Sequence, residues 1–162
     1  MKSKPIVYSA VIAAMYVVLT FISYAFGLSS GYIQVRISEA LTVLPFFTPY
    51  AIWGLFAGCL LSNILTGCAL WDIVFGSIAT LLGAIFTYYV GKIKSKNACY
   101  LAPLGAIISN TLIVPLILRY VYGISQGYAF LCLTVGIGEI ISAGIFGMIL
   151  LFAVRKHQKH IS

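Results

Sequence analysis

Six apolar stretches, separated by short polar or glycine-bearing breaks, take up nearly the whole of this chain. The first covers residues 6 to 26, behind a basic head, Met1-Lys-Ser-Lys-Pro5, whose proline is well placed to open a helix. That run is too long for a signal-peptide core and no A-x-A site follows it, so a retained membrane span is expected. Gly27-Leu-Ser-Ser-Gly31 then forms a loop into the stretch Gly31–Asn63, around which the rest is organised. As one helix, Arg36 to Gly67 would be about 48 Å long at 1.5 Å per residue, against a bilayer core of roughly 30 Å. Pro45 and Pro49 would break it in any case. The pattern therefore predicts a helical hairpin: a short helix ending near Leu44, a Phe46-Phe47-Thr48 turn, and a second helix from Tyr50. After a turn at Thr66-Gly67, a fourth helix is expected over roughly Trp71 to Val90, followed by a basic linker with Lys92, Lys94 and Lys96. A fifth span covers about Ala98 to Val121. The loop Gly123–Gly127 leads to a sixth, about Tyr128 to Val154, and a basic tail, Arg155-Lys-His-Gln-Lys159.

Composition places these helices in a membrane. Hydrophobic residues make up 62% of the 162 positions, charged residues only 8%, and the mean hydropathy is +1.07. A soluble domain carries about a quarter charged residues. The expected fold is an all-α integral membrane protein of six transmembrane helices, forming a single domain over residues 1–162. Six spans put both termini on one side, together with Lys2, Lys4, the three linker lysines, Arg155, Lys156 and Lys159. Only Arg36 and Arg119 fall on the other, so the positive-inside rule places both termini in the cytoplasm. The net charge of +7 sits at segment ends, which suits anionic lipid and gives no case for nucleic acid. Cys59, Cys68, Cys99 and Cys132 have neither CxxC nor metal-ligand spacing and read as small core residues.

Only three residues are acidic, Glu39, Asp72 and Glu139, and each lies at or within an apolar span. A lone acid at mid-membrane costs at least about 2.5–3.5 kcal/mol, so it needs a partner, a wet cavity or a function. Glu39 is one helical turn from Arg36 and could pair with it. Asp72 opens a helix, where the dipole welcomes a carboxylate. Glu139 has no such explanation: it lies about eleven residues, roughly 16 Å, from the outer end of the last span. Asn110 is at the same depth on the fifth span. Asn63, Glu39, Trp71 and Asp72 fall in the outer third, and with Gly27, Gly31, Tyr32 and Gln34 of the first loop they outline a pocket opening outward. Carboxylates, amides and aromatic faces suit a planar, cationic ligand rich in N–H donors. Asn110 or Asn63 alone could equally serve interhelical hydrogen bonding.

Catalytic patterns fail. Gly27-Leu-Ser-Ser-Gly31 matches G-x-S-x-G in letters, but no strand precedes it and the only histidines, His157 and His160, lie across the membrane. No P-loop or metal site is present, so no catalytic residue, metal or cofactor is expected, and uphill transport would need an outside energy source.

Val35-Arg-Ile-Ser-Glu-Ala-Leu-Thr-Val-Leu-Pro45, followed by Gly54-Leu-Phe-Ala-Gly-Cys-Leu-Leu-Ser-Asn-Ile64, resembles the QueT family. In length, span number and basic ends the resemblance covers nearly the whole chain. It implies a substrate-binding (S) component of an energy-coupling factor (ECF) transporter in the bacterial plasma membrane, capturing a 7-deazaguanine queuosine precursor in aminomethyl or cyano form. The implied partners are a transmembrane coupling protein and two ATPase subunits. Ala10-Val-Ile-Ala-Ala14 matches the A-x-x-x-A docking motif of such components, and Ala10 and Ala14 form a small-xxx-small face that permits close helix approach. On the chemistry above, the ligand-binding candidates are Glu139, Asn110, Asp72, Trp71, Glu39, Asn63, Gln34 and Arg36. The alternatives are an S component for another flat vitamin such as thiamine or biotin, an intramembrane enzyme acting on lipid head groups, and a scaffold with no ligand.

The topology is testable in a cysteine-free background. Single cysteines at Ser95 and Ser162 should react with an impermeant thiol reagent only from the cytoplasmic side, and one at Ser30 only from outside. Outside labelling at Ser95 would end the six-span reading.

Overall fold

The computed structural model describes residues 3–29 and 33–161, so Met1, Lys2, Ser30, Gly31, Tyr32 and Ser162 lie outside the described residues. The regular elements among the described residues are all helices, with no strand. The elements are α1 (Ser3–Ala25), a 3-10 helix (Ile37–Phe46), α2 (Tyr50–Leu65) and α3 (Leu70–Gly91). A short 3-10 turn (Lys96–Leu101) leads into α4 (Leu104–Tyr120), and α5 (Tyr128–Glu139) continues through a π-helix (Ile140–Phe146) into α6 (Gly147–Ile161). Four stretches are long and apolar enough to cross a membrane: Lys4–Ala25, Leu70–Gly91, Lys96–Tyr120 and Tyr128–His157. The two arms of the hairpin are shorter apolar helices.

The hairpin breaks where its prolines require. Pro45 lies in the last turn of the 3-10 helix and Pro49 directly precedes α2. The first arm differs from the expected α-helix in being wound as 3-10 over 10 residues, far beyond the usual 3–4 or so. Its position favours the thinner winding: seven of its residues are buried, with α1, α3 and the π-helix packed around it. At the far end, the Phe46 backbone lies so close to Gly91 of α3 that no side chain fits there. Gly67 and Gly123 adopt positive φ, 73° and 67°, where the sequence places the turns after α2 and α4.

The helices pack through small residues, as expected where lipid supplies no hydrophobic drive between them. Gly54 and Gly58 lie one turn apart on α2 and face Ser9, Ile12, Ala13 and Tyr16 of α1; a Cβ on Gly58 would sit 2.7 Å from Tyr16 Cβ. Gly83 of α3 and Gly105 of α4 meet the same way, backbone to backbone. The core beneath α1 and α2 holds Ile12, Tyr16, Leu41, Leu55 and Cys59. Larger apolar side chains such as Val7, Val11, Val18, Ile108, Leu112 and Ile149 point outward, as a lipid-facing surface requires. Ala10 and Ala14 are exposed on α1 among them.

This packing makes a graded prediction. Gly58→Val should lower the thermal stability of purified protein, since overpacking costs about 1–3 kcal/mol or more where backbone must move. Gly144→Ala, whose new methyl would meet its neighbours at 3.7 and 3.8 Å, should leave the melting curve nearly unchanged.

Candidate functional site

One face of α1 carries Tyr16, Thr20 and Ser23, and all three hydroxyls grip the start of the 3-10 helix. Ser23 Oγ accepts from the Ile37 backbone N–H (2.8 Å), Thr20 Oγ1 donates to Ser38 Oγ (2.9 Å), and the Tyr16 hydroxyl donates to Glu39 Oε1. From the other side, Ser142 in the π-helix accepts from the Arg36 N–H (3.1 Å) and donates to the Gly138 carbonyl (2.8 Å). The Val35 N–H bonds the Leu28 carbonyl at 2.8 Å. At the start of the helix the Arg36 and Ile37 N–H groups are thus taken up by side chains of other helices, where a helix start leaves N–H groups without intrahelical partners. Gly138 packs directly on the Gln34 carbonyl, which brings the extended segment against α5. Gln34, Arg36 and Glu39 are thereby fixed between α1 and the α5–π junction.

The acids are held from several helices. Glu39 is buried and, besides Tyr16, accepts from Asn110 Nδ2 of α4 at 3.4 Å. Asn110 also faces Glu139, the last residue of α5, where the winding changes to π. Glu139 is 8% exposed, and its Oε2 is buried with no hydrogen-bond partner. Asp72 Oδ2 accepts from the Tyr122 hydroxyl (2.9 Å), which in turn accepts from the Ala69 N–H (3.1 Å). Burial and the adjacent Asp72 charge push the Tyr122 hydroxyl up to about 12, the Ala69 N–H opposing them, so Tyr122 stays a proton donor to Asp72 at neutral pH. Asp72 Oδ1 and Asn63 Nδ2 lie 3.2 and 3.3 Å from where a Cβ on Gly76 would stand, so a glycine there leaves room for both.

These groups border two adjoining hollows. The outer is a chamber of about 270 Å³ lined by Gln34, Arg36, Asn63, Asp72 and Tyr122, with Thr20, Tyr24, Ser29, Thr66 and Cys68 around it. The inner is a recess of about 20 Å³ lined by Glu39, Asn110, Glu139, Cys59 and Thr80. Gln34, Arg36, Asp72 and Val114 border both. All three of the chain's acids therefore meet at the recess, with one guanidinium at its mouth. The chamber lies just below the about 300–1,000 Å³ of drug-sized ligand pockets, a size for a small heterocycle. The recess has room for about one water or one amino group.

The family described as QueT transporter matches residues 6–156. The chain belongs to the QueT transporter family. Over 81 residues it is 38% identical to the Queuosine precursor transporter QueT of Lactococcus lactis subsp. cremoris (strain MG1363), a match that covers 50% of this chain and 47% of that relative. The aligned part of the chain thus spans about half the length of the curated relative. No solved structure gives a significant match. The QueT family is one of transporters and not of enzymes, and the four membrane-length helices agree with a multi-pass protein of the cell membrane.

Seven of the eight ligand-binding candidates in this QueT chain line one or other hollow: Gln34, Arg36, Glu39, Asn63, Asp72, Asn110 and Glu139. Trp71 does not. It is 56% exposed and stacks on Phe75, with ring centres 5.8 Å apart, in an apolar groove between α3 and α4. Successive helical residues diverge by about 100°, so turning Asp72 inward turns Trp71 out. Glu39 lies deeper than the outer third expected of it, level with Asn110 and Glu139. The hydrogen bonds to its carboxylate come from Tyr16 and Asn110, and not from Arg36 one turn away. Gly31 and Tyr32, expected at the rim, lie outside the described residues. Sequence reading missed Tyr16, Thr20 and Tyr122. The spacing of Tyr16, Thr20 and Ser23, four and then three residues apart in an apolar helix, was the available signal for a polar stripe.

Proposed function

We propose that this chain is the S component of an ECF transporter and that its chamber captures a 7-deazaguanine queuosine precursor from outside. The observation that carries the reading is the meeting of all three acids at one recess, where Glu139 Oε2 is a buried acceptor with no partner. Buried polar atoms are nearly always hydrogen-bonded, so such an acceptor is matched to a donor on a ligand. The family match and the name of the Lactococcus relative support the ligand class.

In this reading the ring occupies the chamber and its 2-amino edge enters the recess. A 2-amino-4-oxo pyrimidine ring presents an N–H and an amino group side by side, two donors for the Glu139 carboxylate. Asn110 donates to the ring oxygen, and Arg36 and Gln34 close the mouth of the recess. Asp72, held by Tyr122 and beside Asn63, faces the aminomethyl cation. Tyr24 and Tyr122 take the ring-covering part that Trp71 is not placed to play. The six helical passages cross the membrane with both termini in the cytoplasm. The chain itself supplies affinity and specificity, and two ATPases joined through a coupling protein supply the energy. That protein docks on Ala10 and Ala14.

Glu139→Gln places a donor against a donor in a desolvated contact. Losses of about 2–5 kcal/mol are typical, roughly 30- to several-thousand-fold in Kd, and the upper part of that range is expected here. The measurement is calorimetric titration with the precursor and with an analogue lacking the 2-amino group. The analogue should bind wild type weakly and lose much less on Glu139→Gln. Equal losses for both ligands would remove Glu139 from the edge.

The docking face is tested by Ala10→Leu combined with Ala14→Leu. Both side chains are exposed, so ligand binding by the isolated protein should survive while uptake by cells expressing all four subunits collapses. Normal uptake would place the docking face elsewhere.

A further inference from the structure

The recess does not balance its charges. Around it, α1 brings the Tyr16 hydroxyl, the extended segment Arg36, the 3-10 helix Glu39, α2 the Cys59 thiol and α3 Asp72. From α4 comes the uncharged Asn110 amide, and the π-helix that follows Glu139 carries no titratable residue. Three carboxylates thus meet one guanidinium, which leaves two negative charges uncompensated if every group is ionised. Asp72 opens on the chamber and has the Tyr122 hydroxyl as its donor. Glu39 and Glu139 are the more enclosed pair, and their four oxygens share two donor groups. Tyr16 serves Glu39 Oε1, and Asn110 stands between the two carboxyls with Nδ2 3.4 Å from Glu39 Oε2. Glu139 Oε2 receives no hydrogen bond, and Arg36, although it lines the recess, does not supply one. Two carboxylates that share a site away from water do not both ionise, because their repulsion adds to the cost of burying each charge. A proton on Glu139 Oε2 removes one charge and turns the unmatched acceptor into a donor, with Glu39 on the same recess to receive it.

We propose that Glu39 and Glu139 share a single proton in the ligand-free protein, and that ligand binding releases it. The release rests on the ligand pose proposed above; the shared proton does not. When the ring edge brings its N–H and amino donors, both Glu139 oxygens must accept. The Oε2–H bond then breaks, its electron pair stays on the carboxylate, and the proton passes to water in the chamber. The ligand keeps its own protonation state, and its two donors replace the proton as partners of Glu139. Rising pH therefore favours binding. Where the free pair holds its proton, Kd falls by up to about tenfold per pH unit, and it levels off once the proton is gone. The aminomethyl and cyano forms carry the same ring edge, so either one releases the proton.

With only three acidic side chains in the sequence, infrared spectroscopy can read the proton directly. The intact ligand-free chain, in an ester-free maltoside detergent at neutral pH, should show a carboxylic-acid C=O band that shifts in heavy water. Glu139→Gln should abolish the band. Glu39→Gln should abolish it too, because Glu139 then ionises without a second carboxylate beside it, whereas Asp72→Asn should keep it. The release is read by calorimetric titration with the aminomethyl precursor in phosphate and in Tris buffer. The difference between the two observed enthalpies should correspond to about one proton released per ligand bound. The shared proton is refuted if wild type shows no such band, or if the band survives Glu39→Gln. Equal enthalpies in the two buffers would refute the release. If the precursor failed to bind, the transport reading would fall, and the infrared band would still decide the shared proton.

Discussion

Three hydroxyls on one face of α1 hold the start of the buried 3-10 helix, and the site depends on that grip. Away from water, a helix start with free N–H groups and a carboxylate beside it would be costly. Ser23 of α1 and Ser142 of the π-helix accept from the Ile37 and Arg36 N–H groups, Tyr16 donates to the Glu39 carboxylate, and Thr20 donates to the Ser38 hydroxyl between them. The charges at Arg36 and Glu39 are therefore fixed by groups outside their own helix. The small residues serve the same end. Gly54 and Gly58 let α1 lie close on α2, and Gly138 lets α5 press on Gln34, so the polar contacts form at hydrogen-bonding distance.

Charge is divided between the two ends of the molecule. The three acids gather in the hollows with Arg36. Basic residues at the other end have milder partners: Lys92 lies over the Tyr88 and Tyr89 rings at 4.4 and 5.6 Å, and Arg155 donates to Cys99 Sγ at 3.4 Å. Among the described residues no lysine lines the chamber or the recess. The hollows keep an excess of acceptors, which favours a ligand that brings donors or a positive charge.

Much of this could be read from the residues. Pro45 and Pro49, with a stretch too long for one span, located the hairpin to within two residues of its observed turn. The scarcity of acids pointed to three residues that do line one recess, and counting depth along the fifth and sixth spans placed Asn110 level with Glu139, which it faces. Facing directions were harder to read. Trp71 and Asp72 are neighbours, and an apolar sequence with little amphipathic contrast does not say which of the two turns inward. The 3-10 and π windings were also hidden, because they answer to crowding by other helices and not to local preference. Tyr16 looked like one more apolar residue in α1 because its partner lies 23 positions away.

The hydroxyls of α1 also restrict how that helix moves. At about 100° per residue, Tyr16 and Ser23 stand roughly 180–240° around the helix from Ala10 and Ala14. A partner that held α1 by its alanine face would pull against Tyr16 and Ser23 on the far side of the helix. Rolling α1 about its own axis would break the bonds to Ile37, Ser38 and Glu39 together, whereas tilting it would carry Glu39 and Arg36 along. Were a partner to pull on the exposed Ala10 and Ala14, these bonds would pass a tilt of α1 on to the acid recess and resist a roll.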